Sequence, residues 1–177
     1  LFLTASSGVL GFELLAHTAQ EALADSLRIS LRHRLSAFEA TIAHATEQTL
    51  LISQRPRLNT LMDKLSHGGL TAAGRLEIER IVDNVQHTVD AAAVELRDAA
   101  GRPVSQRGRF AAAEFEAALP GWPGHSLIYD RRVLVRGVRE LRGAGRTAGI
   151  VRTEIPVPAI DQLFEEVAGL GPTGTLS

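Results

Sequence analysis

The feature that most constrains the fold is a long stretch, residues 13–55, that contains neither proline nor glycine. Apolar or small residues recur along it in alternating steps of four and three, at Leu31, Leu35, Phe38, Ile42, Ala45, Thr49 and Ile52. This is the heptad spacing of a helix that packs one face against a partner. The pattern predicts one amphipathic helix of more than about 35 residues, which is longer than a compact domain needs.

The segment before this helix, residues 1–16, reads LFLTASSGVLGFELLA and is apolar except for Glu13 and a few small hydroxyl side chains. A full membrane span takes about 20 apolar residues. No basic residues precede the run as they would in a secretory signal peptide. We interpret it as the outer end of a membrane-spanning segment, and an ordinary buried helix end is the alternative.

Composition excludes several classes of site. The net charge is −1 and aromatic residues make up 5% of the chain, so neither a basic field nor stacking platforms for nucleic acid are expected. Cysteine is absent, which excludes disulfides, thiol nucleophiles and cysteine-bound metals. The six histidines form no HExxH or other close pair with metal-ligand spacing. We therefore expect no metal, no cofactor and no catalytic residue in this segment.

Two shorter helices are predicted after Pro56. The first, RLNTLMDKLSHGG, ends at the two glycines, and the second begins near Thr71. The buried face of the second helix is predicted to consist of Leu76, Ile78, Ile81, Val82 and Val85.

From residue 91 the apolar period changes from helical to about two, which predicts strands. The five strands are AAAVELRD, RPVSQRG, SLIYD, VLVRGVREL and TAGIVRTEI, and residues 110–120 (FAAAEFEAALP) are predicted as a short helix. A last helix is predicted from Pro158, with an apolar face of Ile160, Leu163, Phe164 and Val167. The order predicts an α+β fold, a long N-terminal helix followed by a five-stranded antiparallel sheet with flanking helices.

Taken in this order, the features resemble the Cache family of extracytoplasmic sensor domains, whose lobes are PAS-like. A long helix leads out of an apolar segment, and the first hairpin reads VELRDAAGRPVSQRG. The strands VLVRGVREL and GRTAGIVRTEIPVPAIDQLFEEV are separated by a glycine-containing turn. The closing GLGPTGTLS resembles the link into the second lobe of double-Cache domains. The resemblance implies four parts, an apolar end (1–16), a signalling and dimerisation helix (13–55), a sensor lobe (56–170) and the start of a second lobe (171–177).

The resemblance also implies a function. The chain is expected to be the periplasmic sensor region of a bacterial inner-membrane receptor, a homodimer that is anchored through its N-terminal helix, binds a small-molecule ligand and is not itself an enzyme. The expected output is that of a two-component sensor histidine kinase, with a diguanylate cyclase or a chemoreceptor as alternatives. An alternative of another class is a non-catalytic coiled-coil docking protein.

Candidate ligand-binding residues lie in and after the loop GWPGHS. The amino-acid-binding variants of the family carry an Arg, Trp and Tyr motif ahead of a pocket Asp. Trp122, Tyr129 and Asp130 are present here, but the spacing and the preceding Arg differ, so amino-acid binding is not carried over. The ligand is expected between the sheet and the loop that carries Trp122.

Arg136 is the candidate for recognising an anionic group. Strand alternation places it on one face with Leu134 and Val138, so its side chain is expected to be half buried. A buried guanidinium needs acceptors. These come either from a ligand carboxylate held bidentately or from a neighbouring glutamate, Glu140 or Glu154.

Overall fold

The structure is a computed structural model that describes residues 2–158, 160 and 161, with side chains described from Glu21 onward except those of Ala22 and Ala159. The helices are α1 (Phe2–Ser53), α2 (Pro56–Ser66) and α3 (Ala72–Thr88). The strands are β1 (Ala93–Asp98), β2 (Pro103–Gly108), β3 (Phe115–Ala118), β4 (His125–Tyr129), β5 (Val133–Gly143) and β6 (Arg146–Pro156). The long N-terminal helix predicted from the sequence is therefore present.

All strand pairs are antiparallel, and the sheet order is β2-β1-β6-β5-β4-β3. The predicted α+β class is confirmed, but the sheet has six strands rather than five. The predicted helix over residues 110–120 is wrong, because Phe115–Ala118 forms β3 and pairs with β4. An alanine-rich run this short cannot offset the cost of helix nucleation. The neighbouring glycines Gly121 and Gly124, both with positive φ, allow the tight return that makes a hairpin instead.

The chain forms two compact units, residues 1–39 and 40–177. In the first unit the α1 side chains Leu23, Leu27, Leu31 and Leu35 are exposed. In the second unit the α1 side chains Ile42, Ala45, Thr49 and Ile52 are buried in the core. Only the second half of the predicted heptad stripe therefore packs within the chain. Among the described residues, no helix combines the length and the apolarity that crossing a bilayer requires.

The end of α1 lies directly on the sheet at Gly137. A Cβ atom at this position would lie 2.5 Å from Thr49 Oγ1 and 2.8 Å from Thr49 Cγ2, so a larger residue would push the helix away. The same approach brings Thr49 Oγ1 within 2.7 Å of Thr153 Oγ1 on β6, and both residues are fully buried. This hydroxyl pair fixes the position of the C-terminal end of α1 relative to the central strands.

Helices α2 and α3 complete the layer. Pro56 occupies the first turn of α2, where its missing N–H has no cost, and Thr71 caps α3 by accepting from Gly74 N at 3.2 Å. The buried face of α3 is narrower than predicted: Ile78, Val82 and Val85 are buried, whereas Ile81 is half-buried and Leu76 is exposed.

The end of the described chain returns to the sheet. Pro158, Ile160 and Asp161 are helical, as predicted for the start of the last helix, and Asp161 Oδ1 accepts from Val133 N at 2.6 Å. The remaining residues of that predicted helix, Leu163, Phe164 and Val167, and the predicted start of a second lobe at 171–177 lie outside the described residues.

Candidate functional site

The two faces of the sheet differ in chemistry, because side chains alternate along each strand. The helix face carries Gly137 and Thr153, which contact α1. The opposite face, called here the open face, carries Arg136 and Glu154, which stand in register across β5 and β6. Three glutamates and three arginines form an open-face cluster, namely Glu95, Glu116, Glu154, Arg97, Arg136 and Arg152.

Arg136 is the centre of this cluster. Its Nε and Nη2 donate to Glu154 Oε1 at 2.9 and 2.7 Å, and its Nη1 donates to Glu116 Oε2 at 2.7 Å. Nη2 also reaches the Ala111 carbonyl at 3.3 Å. The cross-strand alternative weighed for Arg136 is thus present, with Glu154 and not Glu140 as the partner. Its contact with a ligand stays a prediction.

The two carboxylates that hold Arg136 differ in exposure. Glu154 is fully buried, whereas the side chain of Glu116 is 44% exposed. A carboxylate at full burial is tolerated only with charge-assisted partners, and Glu154 obtains them from Arg136 and from Ala111 N, at 2.8 Å to Oε2. Glu116 keeps access to water and also accepts from Ser126 Oγ at 2.5 Å. Glu116 is therefore the more accessible of the two carboxylate partners of Arg136.

A segment of the β2–β3 connection covers the cluster. The Phe110 ring centroid lies 4.4 Å from the Arg152 guanidinium, a cation–π contact. The next residue, Ala111, bonds to both Glu154 and Arg136 through its main chain. Residues 110 and 111 are therefore held in place by three charged members of the cluster, Arg152, Glu154 and Arg136.

Glu95 extends the cluster toward the edge of the sheet. It is buried, and Oε1 accepts from Arg97 Nη2 at 2.9 Å, which raises the pKa of Arg97 through the hydrogen bond and the charge of Glu95. Its second oxygen, Oε2, is buried without a partner among the described residues. Glu95 stands in register with Arg152, so the cluster contains one unused acceptor beside a guanidinium.

The structure separates the four residues proposed from sequence. Trp122 lies in the β3–β4 turn, where its carbonyl accepts from His125 N, at one end of β4. Tyr129, 42% exposed, and Asp130 lie at the other end of this strand, about 13 Å away at 3.3 Å per residue. Arg136 is in register with Ser126 near the first end. The four residues do not line one pocket, and their roles as ligand contacts stay predictions.

Two residues that sequence reasoning passed over lie on the helix face. His125 is buried, and its ring nitrogens have no partner of good hydrogen-bond geometry among the described residues, although the main chain of Trp122 and Pro123 lies near the ring. Burial lowers the pKa of His125, and the positive charge of Arg139 lowers it further. Arg139 has a buried Nε with no partner in that same part of the chain. The described residues contain no group of three or more His, Asp or Glu that could hold a metal ion.

Among known proteins, only solved structures are similar to this chain. No family model matches the sequence, and no curated protein matches it. The sensor domain of the V. cholerae histidine kinase DctB is similar in structure, with a TM-score of 0.56 and 18% identity over 80% of this chain and 59% of that one. This chain thus spans less than two thirds of the length of that domain.

Two structures of the C. jejuni chemoreceptor Tlp3 also align, at 12% identity each. Its ligand-binding domain in complex with L-valine has a TM-score of 0.37 and covers 73% of this chain and 65% of that one. Its sensory domain with isoleucine bound has a TM-score of 0.35 and the same coverage. This chain shares the fold of the DctB sensor domain, in agreement with the sensor-domain fold predicted from the sequence.

Proposed function

We propose that this chain is the extracytoplasmic sensor region of a bacterial inner-membrane receptor, lies in the periplasm and serves a two-component histidine kinase. The observation that carries the proposal is the similarity of fold to the DctB sensor domain over 80% of the chain. The segment is not itself catalytic under this proposal. It converts the binding of a small molecule into a change at α1.

The ligand site is proposed on the open face, at Arg136. An incoming anion displaces Glu116, because this carboxylate is half exposed and holds only Nη1. Glu154 stays in place, because it is fully buried and holds both Nε and Nη2. The exchange leaves Arg136 with two anionic partners in both states, so it does not strand a buried charge.

The route from this site to α1 is short. Thr153 and Glu154 are neighbours on β6, with side chains on opposite faces of the sheet. Glu154 holds Arg136 on the open face, and Thr153 holds Thr49 of α1 at 2.7 Å on the helix face. A ligand that binds two arrangements of β6 unequally shifts their populations, and the hydroxyl pair transmits that shift to the helix.

The exchange is tested with Glu116→Gln, which removes the competing charge and keeps an acceptor for Ser126. Acetate and succinate serve as probes, with binding measured by calorimetry and by the shift of the unfolding midpoint. We expect Glu116→Gln to raise the affinity for the anions several-fold. The matched control is Glu114→Gln, an exposed glutamate just before β3, which should bind like the wild type.

Unchanged affinity in Glu116→Gln would place the ligand elsewhere. The absence of any stabilising small molecule, combined with capture of a protein partner, would favour the docking class instead. The cellular side is tested by protease treatment of spheroplasts. The full-length receptor should be cut within this region from the periplasmic side, and protection of the region would contradict the proposed location.

A homodimer through α1 is part of the proposal. Leu23, Leu27, Leu31 and Leu35 follow one another at intervals of four, so they lie along one side of the helix, and all are exposed. Leu31→Glu should convert a dimer to a monomer in sedimentation experiments. Ile29→Glu places the same charge about 200° away around the helix and should leave the dimer intact. Equal behaviour of the two variants would contradict this interface.

A further inference from the structure

A second concave region lies beside the outer edge of β5, away from the open-face cluster. This edge cleft has a volume of about 740 Å3 and lies between the end of α1, the first turn of α2, the β3–β4 turn and the second half of β5. Its polar lining consists of Ser53, Gln54, Asn59, Arg139, Glu140 and Arg142. Sites for small molecules have volumes of about 300–1,000 Å3, so the cleft is of suitable size.

The cleft exists because β5 continues past the end of β4. The register between the two strands ends at His125 and Gly137, and one further bond joins Val138 N to Gly124 O at 2.8 Å. With β6, in contrast, β5 stays paired as far as Gly143. Alternate residues direct their main-chain groups to the same side of a strand. The N–H and C=O of Glu140 therefore face the cleft, on the side where none of the described strands pairs with this part of β5.

Arg139 supplies the charge of the cleft. Its Nε is buried without a partner, and its side chain makes no hydrogen bond or ion pair in the part of the chain that the structure describes. Glu140, the nearest carboxylate in sequence, bonds instead to Arg142 at 3.3 Å and to Thr147 at 3.2 Å. Because a half-buried guanidinium needs acceptors, Arg139 can accept an anion from outside the described part of the chain.

Asn59 supplies the complementary group. Its Nδ2 donates to the Ser53 carbonyl at 3.0 Å, which fixes the orientation of the amide. The opposite atom, Oδ1, is buried without a partner among the described residues. An unpaired buried acceptor is costly. A hydroxyl or ammonium group of a ligand would satisfy it. The cleft thus offers one unused cation and one unused acceptor.

We infer that the edge cleft binds a small carboxylate that also carries a hydroxyl or ammonium group, with the carboxylate on Arg139 and the donor on Asn59 Oδ1. The open edge of β5 at Glu140 offers a main-chain donor and acceptor to the same ligand. The site is separate from the one proposed on the open face, where Arg136 already has two carboxylate partners.

The test uses two pairs of probes that differ only in a hydroxyl group, L-lactate against propionate and L-malate against succinate. Binding to the 177-residue chain is followed by calorimetry and by the unfolding midpoint. We expect a hydroxy acid to bind and to exceed its deoxy partner by at least about fivefold, the effect of one added hydrogen bond. Arg139→Met, which keeps the apolar stem, should lower the affinity at least about tenfold.

The matched control is Arg80→Met, at an exposed arginine of α3, which should bind like the wild type. The Nε–H signal of Arg139 in spectra of the arginine-labelled protein should move on titration with lactate, and Glu116→Gln, a change on the open face, should leave this shift unchanged. Three results would overturn the inference. These are the absence of binding by both hydroxy acids, retention of binding in Arg139→Met, and equal binding of each hydroxy acid and its deoxy partner.

Discussion

Arg136 and Arg139 lie three residues apart on β5 and have opposite surroundings. Arg136 is on the open face, where Glu154, Glu116 and the Ala111 carbonyl accept from all three of its nitrogens. Arg139 is on the helix face, next to His125, and no acceptor meets its buried Nε among the described residues. Strand alternation puts any two residues of odd separation on opposite faces, so one basic segment serves two unrelated environments.

The difference shows how to tell a structural charge from a functional one. A guanidinium with a complete set of internal acceptors contributes to the specificity of the fold, and its removal strands the partner. A guanidinium without acceptors contributes little to folding and is free to take an external anion. The two arginines should therefore respond in opposite ways to the same substitution.

The largest effect is expected from Arg136→Met. It leaves the fully buried Glu154 with the Ala111 N–H and the more distant Arg152 guanidinium, at 3.9 Å, and the unfolding free energy should fall by about 3–5 kcal/mol, as measured in denaturant. In the double variant Arg136→Met with Glu154→Gln, the neutral amide still accepts from Ala111, and most of the loss should be recovered. A loss below about 1 kcal/mol in the single variant would mean that the cluster is not a structural element.

A smaller loss is expected from Thr49→Val, which removes one hydroxyl of the pair that joins α1 to β6. The Thr153 hydroxyl then stays buried without its partner, at a cost of about 1–3 kcal/mol. Thr49→Val with Thr153→Val replaces both hydroxyls by methyl groups and should restore much of the stability. Under the proposed mechanism, the double variant should fold but lose the response of α1 to ligand, measured with a spin label on the helix.

Much of this architecture follows from periodicity. The heptad steps predicted α1, and the change to a period of two predicted β1, β2, β4, β5 and β6. Phe115–Ala118 was missed because an alanine-rich run has local helix propensity, and its strand character comes from pairing with β4. Leu31 and Ile42 share one heptad stripe, yet one is exposed and the other is in the core, because periodicity identifies a face and not its partner.

The candidate site was predictable only in part. Strand alternation correctly predicted that Arg136 is half-buried and that Glu154 lies within its reach. Glu116 could not be identified, because it meets Arg136 only through the unpredicted β3. The open surroundings of Arg139 depend on where β4 begins, at His125, because β5 continues beyond that pairing. A local sequence pattern does not encode the length of the neighbouring strand in space.

The third prediction concerns His125. It tests whether water is excluded from the helix face beside Arg139. Burial and the charge of Arg139 lower the pKa of His125 in the folded protein, so the unfolded chain binds the proton more tightly. The contribution of neutral His125 to the free energy of unfolding is complete above about pH 6.5, the ordinary pKa of histidine. It is lost as the pH falls toward the lowered pKa of the folded protein. The wild type should lose stability between pH 6.5 and 5 more steeply than His125→Gln.

The control for this pH dependence is the same substitution at an exposed histidine of α1, His33→Gln. Asp98 does not contribute to the pH dependence of stability in this range. Hydrogen bonds from the main chain and side chain of Arg102 lower the pKa of Asp98, so its contribution is lost only below about pH 4. Equal slopes for the wild type and His125→Gln would mean that water reaches the imidazole.

The smallest effect on folding is expected from Arg139→Met, the same substitution that should be severe at Arg136. The methionine keeps the apolar stem against the sheet and removes a guanidinium that has no acceptor among the described residues, so the unfolding free energy should change by less than about 1 kcal/mol or rise slightly. The measurement is denaturant unfolding of the two single variants side by side. A loss at Arg139 as large as that at Arg136 would show that Arg139 has an internal partner in solution, and the edge cleft would then have no free cation to offer. A small loss at Arg139 together with a large one at Arg136 would leave the edge cleft with its cation, because only an arginine that folding does not use is available to a ligand.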